Sequence, residues 1–197
     1  MHHAEKAGEN EFPYLVKIIA EFYCGGAMIS DKFVLTAAHC LRGYTGSFHL
    51  TFGDNAGFGM KPTNPLAITL SGKMNYWTHE KFTMPSAVFD IGIIELPDPV
   101  TFSEAIQPIK ISKDPKVDLN SDTVIISGFG KIERGYYPAS LLTAKLSMVP
   151  IDECMKFQPL FVETITEDHI CAAGRNEEGE VIAPCDGDSG NLNIKIL

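Results

Sequence analysis

The sequence predicts an all-β protein, and three observations support this prediction. Short segments of β-type residues recur along the whole chain, Gly, Pro, Asn and Asp separate them at close intervals, and helix signals are few. The chain has 197 residues, 45% of them hydrophobic and 21% charged, which is enough for a substantial core in one or two globular domains. We therefore expect a barrel or sandwich of many short strands.

The first half of the chain carries most of the strand signals. In Phe48-His-Leu-Thr-Phe52 the alternation places both phenylalanines and Leu50 on one face, which is typical of a half-buried strand, and turns His49 outward. The predicted strands of this half are Leu15–Ala20, Ala27–Ile29, Phe33–Thr36, Phe48–Phe52, Ala67–Leu70 and Ile91–Leu96.

The second half continues the same pattern after a proline-containing stretch. Residues 97–115 include several prolines, which break regular structure, so we expect a link between two halves there. Helix is expected only as one turn at Ala37–Cys40 and a short helix at Ile151–Phe157, with Asp152 as its cap. The predicted strands of the second half are Thr123–Ser127, Ala144–Val149 and Ile170–Ala173.

Charge and hydropathy exclude several classes of function. There are 16 basic and 25 acidic residues, a formal charge of −9, and no stripe of Lys and Arg that would follow phosphates, so we expect no nucleic-acid partner. No apolar run approaches the roughly 18 residues needed to cross a bilayer, and the first residues lack the apolar core of a signal peptide. We expect a chain that neither spans a membrane nor carries an export signal.

The five cysteines favour disulfides. None of them forms the Cys-x-x-Cys spacing of a zinc or redox site, and disulfides indicate an extracellular setting. Spacing alone does not fix the pairing. Taken locally, Cys24 with Cys40 and Cys154 with Cys171 would each close a short loop, a stabilisation of roughly 3 kcal/mol. Cys185 is then left without a partner.

One histidine and one aspartate stand in unusual surroundings. His39 lies in Leu35-Thr-Ala-Ala-His-Cys40, where small neighbours leave its ring unobstructed. Asp90 precedes the apolar segment Ile91–Leu96, which would carry its carboxylate inward, and a buried carboxylate needs a hydrogen-bond partner such as a histidine ring. We interpret the other histidines as terminal, outward-facing or surface residues: His2, His3, His49, His79 and His169.

The stretch Pro184-Cys-Asp-Gly-Asp-Ser-Gly190 presents a candidate nucleophile, Ser189. A serine hydroxyl attacks only when an imidazole accepts its proton, and that imidazole works best when a carboxylate fixes its tautomer. The N–H groups of Gly187 and Ser189 could converge on a developing oxyanion, and each such donor contributes roughly 3–4 kcal/mol. His39, Asp90 and Ser189 together therefore predict acyl-transfer chemistry.

Seven stretches, from Phe12 to Gly190, carry a family resemblance. With these motifs in this order, the chain is similar to the chymotrypsin-like serine proteases of the trypsin superfamily. The stretches are Phe12-Pro-Tyr14, Cys24-Gly-Gly-Ala-Met-Ile29, Leu35-Thr-Ala-Ala-His-Cys40, Asp90-Ile-Gly-Ile-Ile-Glu-Leu96, Ile106-Gln-Pro-Ile109, Ser127-Gly-Phe-Gly130 and Cys185-Asp-Gly-Asp-Ser-Gly190.

The resemblance implies two perpendicular six-stranded antiparallel β-barrels with the active site in the cleft between them. The first would span residues 1–112 and supply His39 and Asp90. The second would span residues 113–197, supply Ser189, and lack its last strands and terminal helix. The implied activity is that of a serine endopeptidase acting through an acyl-enzyme. The alternative is a catalytically inactive, truncated protease homologue that binds or regulates a partner.

The resemblance also implies the disulfides Cys24–Cys40 and Cys154–Cys171. In the family, the cysteine matching Cys185 pairs with one downstream of the nucleophile, and that position would lie beyond Leu197. We therefore expect Cys185 to be unpaired and the chain to be truncated. The family continues Gly-Gly-Pro after the nucleophile, whereas this chain continues Gly190-Asn191 into a tail that could form one strand.

The start of the chain departs from the family as well. Met1 stands where the family has the Ile or Val that zymogen cleavage releases, and that residue's amino group normally pairs with the carboxylate matching Asp188. Because His2, His3 and Ala4 replace the usual following residues, we predict that Asp188 lacks its ion-pair partner. The N–H of Gly187 would then be poorly oriented.

One position bears on the substrate preference that the resemblance implies. Ala183 stands six residues before Ser189, where trypsin-type enzymes carry an aspartate, so a basic substrate side chain would be buried without a partner. We expect an apolar, chymotrypsin-like or elastase-like substrate preference.

The calcium loop of some relatives needs several carboxylates, but only Asp54 is present between Gly53 and Trp77, so we expect no metal and no cofactor. The expected partners are protein or peptide substrates and protease inhibitors, and the expected location is extracellular.

Overall fold

The computed structural model describes residues 1–84, 88–111, 123–156, 169–191 and the short strand at 194–195. These residues are mostly β-structure, so the all-β prediction is confirmed. No helix in the described ranges is long and apolar enough to cross a membrane. The strands in chain order are β1 Glu5–Lys6, β2 Leu15–Ile19, β3 Tyr23–Met28, β4 Phe33–Thr36, β5 Phe48–Phe52, β6 Ile68–Gly72, β7 Asn75–Thr78, β8 Gly92–Glu95, β9 Thr123–Gly128, β10 Leu142–Val149, β11 Cys171–Arg175, β12 Val181–Ile182 and β13 Ile194–Lys195.

The first sheet contains seven antiparallel strands, where the resemblance implies six. Their order is β6-β5-β2-β3-β4-β8-β7, so the sheet curls around one side of a shared core. Along β5, Phe48, Leu50 and Phe52 are almost fully buried while His49 is exposed, as the alternation predicts. Strand β7, which the sequence pattern did not indicate, extends the edge beside β8.

The second sheet has the order β12-β11-β10-β9-β13, and β1 pairs with one end of β10. The longest strand, β10, contacts both β9 and β11, and β13 pairs with β9. Because β1 joins this sheet, the first residues of the chain contact the second half of the molecule. The predicted boundary between residues 112 and 113 lies outside the described residues.

Three groups of buried side chains fill the interior. One, which includes Ile18, Leu50 and Ile94, lies within the first sheet, and another, which includes Met1 and Leu146, belongs to the second. The group between them includes the aromatic ring of Phe129 and residues from both sheets. Removing this apolar surface from water supplies the main driving force for folding, so the two sheets and the N-terminal segment are stabilised together.

The two helical predictions have different outcomes. Ala38–Cys40 forms a single 3-10 turn, as expected near His39. The α-helix α1 spans Ile151–Cys154, and the predicted end at Phe157 lies outside the described residues. The prediction that Asp152 caps this helix is wrong, because Pro150 precedes the helix and Asp152 lies within its first turn, where an acidic side chain still favours the positive end of the helix dipole.

Candidate active site

The 3-10 turn holds His39 between two anchors. The turn follows β4 directly, and the N–H of Cys40 donates to the carbonyl oxygen of Ala37 at 3.2 Å. The next side chain, Cys40, forms a disulfide with Cys24 on β3. The backbone that carries His39 is therefore tied to the first sheet by both a strand and a disulfide.

Asp90 contacts His39 through both of its carboxylate oxygens. Its Oδ2 lies 2.6 Å from the His39 Nδ1, and its Oδ1 accepts the backbone N–H of His39 at 2.8 Å. Burial by itself would raise the pKa of Asp90, but the hydrogen bonds from the His39 ring and backbone outweigh it and hold that pKa below its ordinary value. An ionised Asp90 only accepts hydrogen bonds, so the His39 Nδ1 is the donor in this contact, and whenever the ring is neutral its Nε2 is the acceptor.

Ser189 lies on the opposite wall of the same cleft. The cleft has a volume of about 550 Å³, and both His39 and Ser189 line it. The carbonyl oxygen of Ser189 accepts the N–H of Gly25 on β3 at 2.7 Å, which fixes the Ser189 loop to the first sheet. Among the contacts of the described residues, no hydrogen bond joins the Ser189 hydroxyl to the His39 ring. The His39 Nε2 lies 3.6 Å from the Cys40 Sγ.

The backbone before Ser189 requires glycine. Gly187 has a φ of +94°, and a Cβ there would come within 3.0 Å of the Tyr137 ring and 3.2 Å of the Gly130 Cα. In the part of the chain that the structure describes, neither the N–H of Gly187 nor that of Ser189 donates to a protein acceptor. Both donors are therefore open to a substrate oxygen.

The prediction that Asp188 lacks its partner is wrong. The Met1 amino nitrogen lies 2.9 Å from the Asp188 Oδ2, and the two side chains are 1% and 5% exposed. Hydrophobic burial of the Met1 side chain in the second core group brings the amino group to this position, which the sequence pattern of His2 and His3 did not indicate. The expected misorientation of the Gly187 N–H rested on this missing partner, so the ion pair removes its basis.

Further hydrogen bonds satisfy this buried ion pair. Asp188 also accepts the N–H of Gly130 at 2.8 Å and that of Cys185 at 3.0 Å. The Met1 amino group also donates to the carbonyl oxygens of Gly130 and Lys131. Both charged groups are therefore shielded from water but have several polar partners. This is the condition under which a buried ion pair is tolerated.

Aromatic side chains that the sequence analysis did not identify line the cleft. Tyr23 stacks on Phe58 with ring centroids 4.5 Å apart, and Tyr137 meets Tyr23 edge-on at 4.9 Å. At the rim, the Lys131 Nζ lies 3.0 Å from an Asp186 carboxylate oxygen. Tyr23 could have been suspected because it adjoins Cys24, but nothing in the local sequence marks Tyr137.

A second buried ion pair lies away from the cleft. The Lys17 Nζ lies 2.8 Å from the Asp54 Oδ2 and donates to the carbonyl oxygen of Ala56 at 2.5 Å. Burial by itself would raise the pKa of Asp54, but the hydrogen bond from Lys17 and those from the Thr63 and Asn64 backbone hold it below its ordinary value. Asp54 is the only carboxylate between Gly53 and Trp77, the segment in which a calcium loop would need several. In this structure the ammonium group of Lys17 neutralises it.

The remaining predicted positions are the cysteines and Ala183. Disulfides join Cys24 to Cys40 and Cys154 to Cys171, and Cys185 is a half-buried free thiol. Ala183 is half-buried, and its carbonyl oxygen accepts the N–H of His2 at 2.7 Å.

One further His/Cys cluster lies beside the candidate base. Within the described residues, the ligand atoms of Cys24, His39 and Cys40 lie within 4.8 Å of one another. The disulfide uses both sulfur atoms, so the cluster does not offer the thiolates that a metal ion would need.

Comparison with known proteins indicates the family of the chain. The family model named Trypsin matches residues 3–191. Melanization protease 1 of Drosophila melanogaster is 28% identical over 92% of this chain and 50% of its own length, and a chymotrypsin of Phaedon cochleariae is 28% identical over 92% and 64%. The clotting factor G beta subunit of Tachypleus tridentatus is 31% identical over 93% and 62%. The chain thus spans between half and two thirds of the length of these three relatives, and it belongs to the trypsin family of serine proteases.

Proposed function

We propose that this chain is a serine endopeptidase that cleaves peptide bonds through a Ser189 acyl-enzyme, with His39 as general base and Asp90 as its positioning carboxylate. The observation that carries the proposal is the two-point contact of Asp90 with the His39 ring and backbone, directed into the cleft that Ser189 also lines. This contact prepares the imidazole to accept a proton on the side that faces the cleft.

The chemistry proceeds in two transfers of the substrate acyl group. His39 Nε2 takes the proton from the Ser189 hydroxyl as its oxygen attacks the carbonyl carbon, and the resulting oxyanion receives the N–H groups of Gly187 and Ser189. The imidazolium then gives its proton to the leaving amine as the C–N bond breaks. Water, deprotonated by the same ring, releases the acid product and restores the Ser189 hydroxyl.

We further propose that the preferred substrates present an apolar rather than a basic side chain next to the cleaved bond. Ala183 supplies no charge to pair with Lys or Arg, and an unpaired buried cation is costly. The substrates would be extracellular proteins or peptides, since the chain has two disulfides and its relatives include a clotting factor subunit and a melanization protease. Protein protease inhibitors would be the expected antagonists.

One observation fits a second candidate function as well as the first. Among the described residues, the Ser189 hydroxyl makes no hydrogen bond to His39, so the proton-transfer contact is not formed in the free protein. Catalytic hydrogen bonds commonly tighten only when substrate binds, which agrees with an enzyme. A homologue that binds a partner in this cleft and hydrolyses nothing would keep the contact open.

Labelling with a fluorophosphonate separates the two candidates. The reagent modifies a serine only where a base and oxyanion donors are assembled, so we expect stoichiometric modification of Ser189, located by peptide mass spectrometry. Ser189→Ala and His39→Ala are the matched controls, and each should abolish labelling. A chain that melts cooperatively by circular dichroism but takes up no label would refute the enzyme and support the binding homologue.

Peptide esters then test the specificity. We expect turnover of esters with Phe, Leu or Ala at the cleaved bond to exceed that of the Arg ester. Faster cleavage of the Arg ester would contradict the role assigned to Ala183.

A further inference from the structure

The residue before Asp90 has an unfavourable backbone conformation. Phe89 has a φ of +60°, in the left-handed region where a bulky side chain costs of order 1–2 kcal/mol. Its side chain is 41% exposed, so burial in the core does not compensate for this conformation. Other contacts must therefore hold the segment that delivers the Asp90 carboxylate.

Two hydrogen bonds fix the backbone on either side of Asp90. The N–H of Ile91 donates to the carbonyl oxygen of Phe89 at 2.8 Å, which closes a three-residue turn around Asp90. The carbonyl oxygen of Ile91 accepts the N–H of His79 at 3.0 Å. The turn is therefore joined to the residue that directly follows β7.

The side chain of His79 forms a second contact with the same turn. Its ring stacks on the Phe89 ring, with centroids 4.8 Å apart and planes inclined by 11°. The N–H of Lys81 donates to the His79 Nδ1 at 3.2 Å, and the Lys81 Nζ lies 5.9 Å from the centroid of the Phe89 ring. The Phe89 ring thus has an aromatic partner and a cation nearby in a largely solvent-exposed position.

The segment that carries His79 also contacts the segment after His39. The N–H of Phe82 donates to the carbonyl oxygen of His79 at 3.0 Å, which closes a turn. Phe82 is 9% exposed, and its ring centroid lies 6.0 Å from the guanidinium carbon of Arg42. Residues 79–82 therefore connect the backbone of Asp90 with the backbone that follows the His39 turn.

From these contacts we infer that His79 and Phe89 are positioning residues for the proposed endopeptidase: their stacked rings hold the left-handed turn that aims Asp90 at His39. This inference rests on the proposed function for its kinetic consequence, but the positioning itself is a property of the folded chain. Neither ring contacts the substrate cleft as lined by the described residues.

The test removes and then restores the stack. We expect His79→Ala and Phe89→Ala each to lower kcat for a peptide ester by about tenfold, since small misplacements of catalytic groups carry large kinetic penalties, while KM changes by less than about twofold. His79→Phe and Phe89→Tyr keep a stacked pair and should return kcat to within about threefold of the parent. The matched controls are His49→Ala, an exposed strand histidine, and Phe102→Ala, a phenylalanine of similar exposure at 42%.

A spectroscopic readout makes the test independent of turnover. The proton on His39 Nδ1, shared with Asp90, should give a low-field ¹H resonance that is absent in His39→Ala. We expect it to move upfield or broaden in His79→Ala and Phe89→Ala, and to return in His79→Phe. If the resonance is unchanged in both alanine variants, the positioning role is refuted, whether or not the parent reacts with fluorophosphonate. If the parent takes up no label yet the resonance responds as described, the proposed function fails while the positioning role stands.

Discussion

The two walls of the candidate site are held by different kinds of contact. On the first sheet, His39 and Asp90 are joined at 2.6 and 2.8 Å, and a disulfide ties the His39 turn to β3. On the other wall, the Ser189 loop accepts backbone hydrogen bonds from Gly25, Gly130 and Lys131. It also carries the ion pair between Asp188 and Met1.

This difference separates two ways in which the site can fail. The acid–base pair depends on contacts made within one sheet, so changes there should alter proton transfer and leave the nucleophile loop intact. The nucleophile loop depends on the amino group at the start of the chain, so changes there should displace the loop and leave the His39–Asp90 contact intact. The two largest effects predicted below each come from a substitution in one wall.

The largest effect is expected from Asp90→Asn. The carbonyl oxygen of the introduced amide would still accept the backbone N–H of His39, which directs the amide NH₂ toward Nδ1 and forces the ring proton onto Nε2. The ring could then no longer accept a proton from Ser189, and we expect kcat to fall by about 10⁴-fold. The readouts are ester hydrolysis and the rate of fluorophosphonate labelling, with the exposed Asp98→Asn as the control. A loss of less than tenfold would contradict the assigned role of Asp90.

Next in size is the effect of Asp188→Asn. The substitution leaves the buried Met1 ammonium without its carboxylate, and removing one partner of a buried pair costs about 3–5 kcal/mol. We expect urea unfolding to detect this loss and labelling of Ser189 to slow by at least about a hundredfold. The low-field resonance of His39 should persist, because that contact lies on the other wall.

The matched control for Asp188 is Glu133→Gln. Glu133 is an exposed carboxylate that contacts His3 in the same N-terminal segment. An exposed pair of this kind contributes little, so this variant should behave like the parent. Equal effects from the two substitutions would show that the segment as a whole, rather than the buried ion pair, supports the nucleophile loop.

A smaller loss, chiefly of stability, is expected from Lys17→Met. Asp54 would keep its backbone amide donors but lose its cation. We therefore expect the free energy of unfolding to fall by about 3 kcal/mol at pH 7, near the lower end of the range for removing one partner of a buried ion pair. Because the folded pKa of Asp54 lies below its ordinary value, the stabilisation is present above about pH 4 and is lost as the pH falls through the lowered pKa.

The pH dependence provides the measurement for Lys17. Urea unfolding of the parent between pH 6 and pH 3 should show a falling free energy of unfolding, to which Asp90 also contributes because its pKa is lowered as well. The gap between the parent and Lys17→Met should narrow as the pH falls below about 4, because protonation of Asp54 removes the charge that Lys17 stabilises. A gap that stays constant over this range would mean that the Lys17 side chain stabilises the fold by packing rather than by charge.

Some features of the site could be predicted from the sequence and others could not, depending on whether they arise from local residues or from tertiary packing. His39, Asp90 and Ser189 could each be recognised because their immediate neighbours are unusual, and the strands could be predicted because alternating burial is a local signal. The pairing of Met1 with Asp188 could not be predicted, because tertiary packing brings these residues together from distant parts of the sequence. Nor could the stack of His79 on Phe89, since a left-handed phenylalanine contradicts local preference and is observed only where surrounding contacts hold it.

The smallest effect is expected at the rim of the cleft, from Lys131→Gln. The Lys131–Asp186 pair is solvent-exposed, with the Asp186 side chain 75% exposed, and solvent screening leaves pairs of this kind little effect on stability. The hydrogen bond from Lys131 to the Asp186 carboxylate also raises the pKa of Lys131, which favours its charged form further. Removing the Lys131 charge should leave the free energy of unfolding unchanged and alter kcat/KM for a neutral ester by less than about threefold.

For a substrate with an acidic leaving group, Lys131→Gln should raise KM at low salt and have little effect at about 0.5 M salt, since screening is strong at that ionic strength. A large, salt-independent loss with the neutral ester would contradict this reading and would show that the Lys131 side chain, through its contact with Asp186, supports the Ser189 loop.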